Sequence, residues 1–361
     1  MKKILSLITL LLISIIGYSQ FVGLTNAEFT KLKALIHNNA DVNKMFATFE
    51  MAANKALHEE PNPRDTIVSE GHLEGDKNKT ASLLALHDVD KIYALIVTYK
   101  LKNQDAYIRK AAQFLKAWAT TNIPTGNPIN ETKYESALDA YDMIRGDLPT
   151  GDQKLIDAWL VKIGDAEIAN PKMTEGKKTS YNNWNSHRLK IVGQVGFILN
   201  EKKYKEYAEN GIKVQIEKNL LPDGSGIDFL ERDALHYHVY TLEPLLTLSI
   251  ILKRGTGNDY YHYVSSKNSS IKKSVEWLLP YLTNEKVHPE YVNSKVQFDI
   301  ARAKNNEKGF QIGAPFVSQK GFSVLALSIY FEPSYLGLLR NLTKTKNEYP
   351  DWQSIVSILK Q

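Results

Sequence analysis

Cysteine is absent from all 361 residues. No disulfide can staple this chain, and no thiolate can act as nucleophile or metal ligand. After residue 16 no apolar run is long enough to span a bilayer. Long basic runs are missing too, which removes the usual footprint of nucleic-acid binding. There are nine histidines, and no two of them lie three or four residues apart. No helix therefore offers a pair of metal ligands on one face, and neither a metal nor a cofactor is expected. Strand-like alternation is scarce. GFSVLALSIYF (321–331) is the ambiguous run, readable as a strand or as a buried helix.

The chain opens on MKKILSLITLLLISIIGYSQ: two lysines, an apolar run from Ile4 to Ile16, then small residues at Gly17 and Ser19. This is the pattern of a secretory signal, expected to end at residue 19. With no cysteine after it, a lipid anchor is excluded. The expectation is a periplasmic or secreted monomer without a membrane anchor, with 20–361 as one domain. The net charge is +5, and Lys2 and Lys3 supply two of those positive charges. The remaining bias is weak, but it suits an acidic substrate.

Most of the remaining sequence has helical periodicity, over 81–101, 105–121, 133–146, 152–170, 186–201, 202–221, 232–255 and 269–283. Short turn clusters such as IPTGNP, LPTGD and LPDGSG separate these runs. A dozen or so helices with pairs recurring every forty residues or so predict an all-α fold, an (α/α) toroid or incomplete barrel of antiparallel hairpins.

Two stretches carry chemistry. In YNNWNSHRLKIVG (181–193), Asn183 and His187 are one helical turn apart, and Trp184 and Arg188 form the adjacent row. In DGSGIDFLERDALHYHVYTLEPLL (223–246), Arg232, His236 and Tyr240 form a stripe at i, i+4 and i+8, with Tyr237 beside it. His236 and His238 point to opposite sides, one expected to support chemistry and the other to pack. The inventory is amide, imidazole, guanidinium and phenol, with no carboxylate pair. Glycoside hydrolysis needs two carboxylates flanking the bond. β-Elimination from a uronate polymer needs other groups. Amide or cationic groups neutralise the sugar carboxylate, a base removes the C5 proton, and an acid protonates the departing O4. The residues fit the second list, with an acidic polysaccharide as partner.

These same residues are where the sequence resembles the alginate lyases and related uronate-polymer lyases. The matching pieces are SEGHLEGDKNKTASLLALHDVDKIYAL, GNPINETKYESALDAYDMIR, SYNNWNSHR and ERDALHYHVYTLEPL. The family carries Asn-Asn-His and, later, Arg followed by Ala-Leu-x-Tyr-His-x-Tyr. Ala234 to Tyr240 match the second motif. The first departs, with Trp184 where the family has its base histidine, and His187 one turn further on. Arg232 is displaced by one residue. The resemblance implies an α/α toroid that eliminates across mannuronate or glucuronate polymers. Asn183, Arg232 and His187 would neutralise the carboxylate, His187 or Tyr240 would be the base, and Tyr240 the acid. Asn182, Trp184, Arg188, His236, Tyr237 and His238 would contact substrate. So would Asn127, Asn130 and Glu131, from a loop lining the cleft, with Tyr134, Tyr141 and Trp184 stacking on sugar rings. Two alternatives stay open. One is a hydrolase using carboxylates among Glu131, Asp139, Asp228 and Glu231. The other is a glycan-binding protein that has lost its chemistry, for which Trp184 is the argument.

Overall fold

The structure, a computed structural model, describes residues 20–361. The segment expected to be a secretory signal lies outside the described residues. Among those residues the regular structure is helical, and β-pairing is limited to two isolated bridges, Leu220 with Gly226 and Pro289 with Pro315. The ambiguous run resolves as a helix, Phe322–Ser328, with Val324, Leu325 and Ala326 buried. A seven-residue helix buried on several sides has no polar face, so its pattern could not be told from a strand. No helix among the described residues is long and apolar enough to cross a membrane.

The helices form an α/α toroid. Ala40–Ala56 packs on His87–Lys102, which packs on Asp105–Thr121 and Glu135–Ile144. Asn183–Leu199 is the inner hub, touching Lys202–Asn219, Leu235–Thr256, Thr150–Ala169 and Glu135–Ile144. It is buried nearly end to end, so its face pattern is weak. Gly193 lets the hub approach Leu235–Thr256 closely, since a Cβ there would meet Leu248 Cδ1 at 2.5 Å. The two ends of the described segment meet. Asn26–Asn38 contacts Trp352–Leu359, Arg254 Nη2 donates to Glu28 at 2.9 Å, and Lys360 Nζ donates to the Val22 carbonyl at 2.6 Å.

Trp118, Tyr134 and Trp159 stack edge to face in the core, with ring centroids 5.7 and 5.3 Å apart, each pair worth about 1 kcal/mol beyond its buried area. Tyr134 and Tyr141 are both buried, so neither reaches a sugar ring, contrary to expectation. Helical spacing identifies them as face residues, but the face they share is the one packed inward.

Beside this core two carboxyls are buried together. Burial raises Glu131, and burial followed by the charge of Glu131 raises Glu167 well above the ordinary range. A carboxyl raised in the fold leaves stability intact at low pH. That stability is lost as pH rises from the unfolded value through the folded one. Glu167→Gln is expected to flatten the alkaline decline of the melting temperature. Thermal melts of both proteins from about pH 5 to about pH 9 check this.

Candidate active site

Asn182 caps the hub helix by accepting from the Trp184 amide at 3.0 Å, so the helix starts at Asn183, three residues before the periodicity suggests. Asn183 is held from behind. Asp228, buried, accepts from its backbone N–H at 3.1 Å and from its Nδ2 at 2.6 Å, and also from Asn219 and Thr241. This fixes the amide plane and leaves the rest of the Asn183 carboxamide for the cavity.

The second stretch is not one helix. Asp233 adopts a left-handed backbone, φ 46°, and splits Ile227–Arg232 from Leu235–Thr256. The expected i, i+4, i+8 stripe from Arg232 therefore does not exist as drawn. A helical period carries no sign of the break, because Asp is among the residues that tolerate this conformation. Glu290, from the following long connection, caps the new helix by accepting from the Leu235 and His236 amides at 2.7 and 3.1 Å.

The break still delivers the side chains to one place. A cavity of about 310 Å³ is lined by Asn183, Trp184, Arg232, His236, Tyr237 and Tyr240. Arg232 is half-committed elsewhere. Its guanidinium makes a forked pair with buried Asp299, with Nε at 2.7 Å, and lies over the Tyr237 ring at 3.8 Å. The acidic neighbours in sequence, Glu231 and Asp233, are not used; the carboxylate comes from 67 residues away. The Tyr237 hydroxyl accepts from Arg232 and, at 3.0 Å, from Arg302 Nη1.

Tyr240 differs from its neighbours. Its hydroxyl makes no hydrogen bond to the protein among the described residues and opens on the cavity. Burial, then Tyr237 and Glu243, push its pKa up, so the resting group is a phenol. His236 stacks parallel to it, centroids 6.1 Å apart at 8°. Burial, then Lys320 and Arg302, lower the His236 pKa to about 4, so its imidazole is neutral at pH 7.

His187 does not line the cavity. It is buried beneath Tyr240, with ring centroids 4.3 Å apart, and its Nδ1 faces Thr132 Oγ1 at 2.9 Å. Burial, then Lys190 and Lys133, hold its pKa well below the usual value. Other expected contacts lie behind the surface. Arg188 turns away to Asn185 and the Met173 carbonyl. His238 is buried, at 3.1 Å from the Ser274 carbonyl. Asn127 caps Pro128–Glu131, and Asn130 accepts from Ser69 Oγ at 2.7 Å and the Glu70 amide at 2.9 Å, so both hold the wall rather than form it. Glu131 accepts from the Gly126 amide at 2.8 Å.

Lys79, Lys133, Arg302 and Phe310 line the cavity and carry no motif that would have singled them out. Arg302 is sandwiched between Phe298 and Phe310 at 4.3 and 4.4 Å. The cavity thus presents four cationic side chains and one carboxylate, Glu70. A second hollow of about 400 Å³ shares Leu83 and Lys133 with it, extending the groove. None of the carboxylates considered for hydrolysis lines the cavity. Glu131 and Asp228 are occupied as described, Asp139 lies in a separate hollow with Lys360, and Glu231 pairs with Lys178 at 2.7 Å. Two-carboxylate hydrolysis has no pair to work with here.

Residues 33–288 match the alginate lyase family profile. The chain belongs to the alginate lyase family. This family member is therefore a polysaccharide lyase. Solved structures agree on the fold. An alginate lyase from Bacteroides ovatus shares 16% identity at TM-score 0.66, over 95% of this chain and 99% of that one. Alginate lyase A1-III from Sphingomonas species A1 shares 15% identity at TM-score 0.57, over 84% and 94%. A histidine-to-alanine variant of A1-III complexed with tetrasaccharide shares 16% identity at TM-score 0.58, over 74% and 78%. No curated protein sequence matches significantly.

Proposed function

We propose that this lyase cleaves alginate-type uronate polymers by β-elimination, with mannuronate or glucuronate units at the cleavage site. The observation that carries the reading is the unbonded Tyr240 phenol facing a cavity of four cations, beside an amide that Asp228 holds in place. The A1-III variants solved with tetrasaccharide replace a histidine and, separately, a tyrosine, and so provide a precedent for both residue types in a lyase site.

The uronate carboxylate lies toward Asn183, Lys133 and Arg302, which stabilise charge as it builds on the carboxylate. The neutral His236 imidazole takes the C5 proton. Its basicity rises when the bound carboxylate offsets the nearby cations. The C5 electron pair forms the C4–C5 double bond, the C4–O4 bond breaks, and Tyr240 gives its proton to O4. His236 and Tyr240 stand one turn apart on one helix, with parallel rings. Both therefore work on one face of the sugar. In mannuronate and glucuronate the C5 hydrogen and O4 share a face, whereas in guluronate they do not. The deciding experiment follows absorbance of the conjugated double bond on polymannuronate, glucuronan, polyguluronate and hyaluronan separately. A rise on the first or second is expected, and a rise on polyguluronate alone overturns the one-face reading. If His236→Gln keeps full activity, Tyr240 carries both transfers.

Arg302 has a separable role. Arg302→Ala is expected to raise KM about tenfold with a smaller change in kcat, because it removes a partly exposed carboxylate contact worth about 1.5 kcal/mol. KM measured at low and high salt checks this, since the wild-type value should be the more salt-sensitive. We also take residues 20–361 as one catalytic domain, exported by residues 1–19 to the periplasm or beyond and acting as a monomer. The core running without a break from Val22 to Leu359 supports the first part.

A further inference from the structure

Under Tyr240 lies a chain of polar groups that the elimination does not use. Lys190 sits one turn beyond His187 on the hub helix and is 1% exposed. Its ammonium ion-pairs with Glu135 and donates to Thr132 Oγ1 at 2.7 Å. Thr132 Oγ1 in turn lies 2.9 Å from His187 Nδ1. Nothing else among the described residues hydrogen-bonds to that hydroxyl.

Donor counting gives the direction in which the Thr132 hydrogen finds a partner. An ammonium has three hydrogens and no lone pair, so Lys190 must donate and Thr132 must accept. Thr132 then has one hydrogen and one remaining acceptor within reach, His187 Nδ1. The neutral ring accepts on Nδ1 and carries its own hydrogen on Nε2. Burial and the neighbouring Lys190 and Lys133 keep a second proton off the ring.

We infer that Lys190 and Thr132 lock His187 in the tautomer with hydrogen on Nε2, making it a positioning residue that props the Tyr240 ring and not the base. The lone pair on Nδ1 is taken, and Nε2 has none to offer a C5 proton. Nε2 is itself buried, and His187 is absent from the cavity lining, so its ring packs against Tyr240 out of reach of a sugar. This distinguishes the imidazole at 187 from that at 236, which does open on the cavity. The inference rests on the reading of Tyr240 as the proton donor, but its first test does not use activity.

Long-range proton–nitrogen NMR of the histidine rings reports which nitrogen carries hydrogen, with His187→Gln used to assign the signal. Wild type is expected to show hydrogen on Nε2 of His187. Thr132→Val is expected to shift the population toward Nδ1 and to lower kcat about tenfold at unchanged KM, the size of one neutral hydrogen bond. Thr132→Ser restores the hydroxyl and should restore both readouts. Hydrogen on Nδ1 in the wild type overturns the inference, as does a Thr132→Val variant whose tautomer stays as in wild type. A fully active Tyr240→Phe would sink the proposed proton donor while leaving the tautomer assignment standing.

Discussion

Tyr240→Phe is expected to lower kcat for elimination by roughly 10²–10⁴-fold, the usual contribution of a positioned proton donor. The substitution deletes one oxygen that bonds to nothing in the protein, so no buried partner is orphaned. The ring contacts with His187 at 4.3 Å and His236 at 6.1 Å remain. Stability should therefore stay within about 0.5 kcal/mol of wild type, as for a change away from any structural network. KM should also change little, because the phenol acts on charge that appears only as O4 departs. Steady-state kinetics with a thermal melt on the same sample read all three quantities. A large loss of kcat with an unchanged melt isolates the chemical role, whereas a matching fall in stability would make Tyr240 a packing residue.

Asn183→Ala is the second large effect, expected at roughly 10²–10³-fold in kcat, the cost of removing one preorganised donor that meets developing charge. It differs from Tyr240→Phe in its structural cost. Asp228 loses the Nδ2 bond at 2.6 Å but keeps the Asn183 amide, Asn219 and Thr241. A loss of about 1–3 kcal/mol in stability should accompany the kinetic defect. Asn183→Asp is the sharper comparison. It sets a carboxylate against buried Asp228 and against the substrate carboxylate, so it should be at least as inactive and markedly less stable. Kinetics and denaturant melts on both variants check the order.

The helices and the all-α class were legible because period and turn residues report local structure directly. The inner helix was legible in position but not in its start, which depends on the Asn182 cap. Asn183, Trp184, Arg232, His236, Tyr237 and Tyr240 could be drawn from two short stretches because one helix start and one broken helix carry them all. What sequence reading assigned to the cleft and the fold placed behind it follows a common cause. Arg188, His238, Asn130 and Glu131 are each polar but already partnered: Arg188 and Glu131 locally, by Asn185 and the Gly126 amide, and His238 and Asn130 by Ser274 and Ser69, which only the tertiary structure brings near. Three of the residues that were missed come from the short helix Gln297–Lys304 and the connection before it. Arg302, Glu290 and Asp299 reach the site from 55 to 67 residues beyond the motif they serve, and no spacing rule links them to it.

The break at Asp233 also explains why a displaced arginine still reaches the same cavity. Its left-handed backbone turns the end of Ile227–Arg232 back toward the start of Leu235–Thr256, and Asp299 holds the guanidinium there. Removing one partner of such a buried pair costs about 3–5 kcal/mol. Activity lost in an Arg232 variant would thus report folding as much as catalysis, and Tyr240 is the better probe.

The most direct test of elimination is the mass of the products formed in heavy-oxygen water. Elimination breaks the C4–O4 bond without adding water, so each cut should yield an unsaturated end lacking heavy oxygen. Hydrolysis adds one water per cut and would place heavy oxygen in the product. Unsaturated non-reducing ends with unlabelled new reducing ends from wild type, lost in Tyr240→Phe, are the predicted result; saturated non-reducing ends with heavy oxygen at the new reducing ends would contradict it.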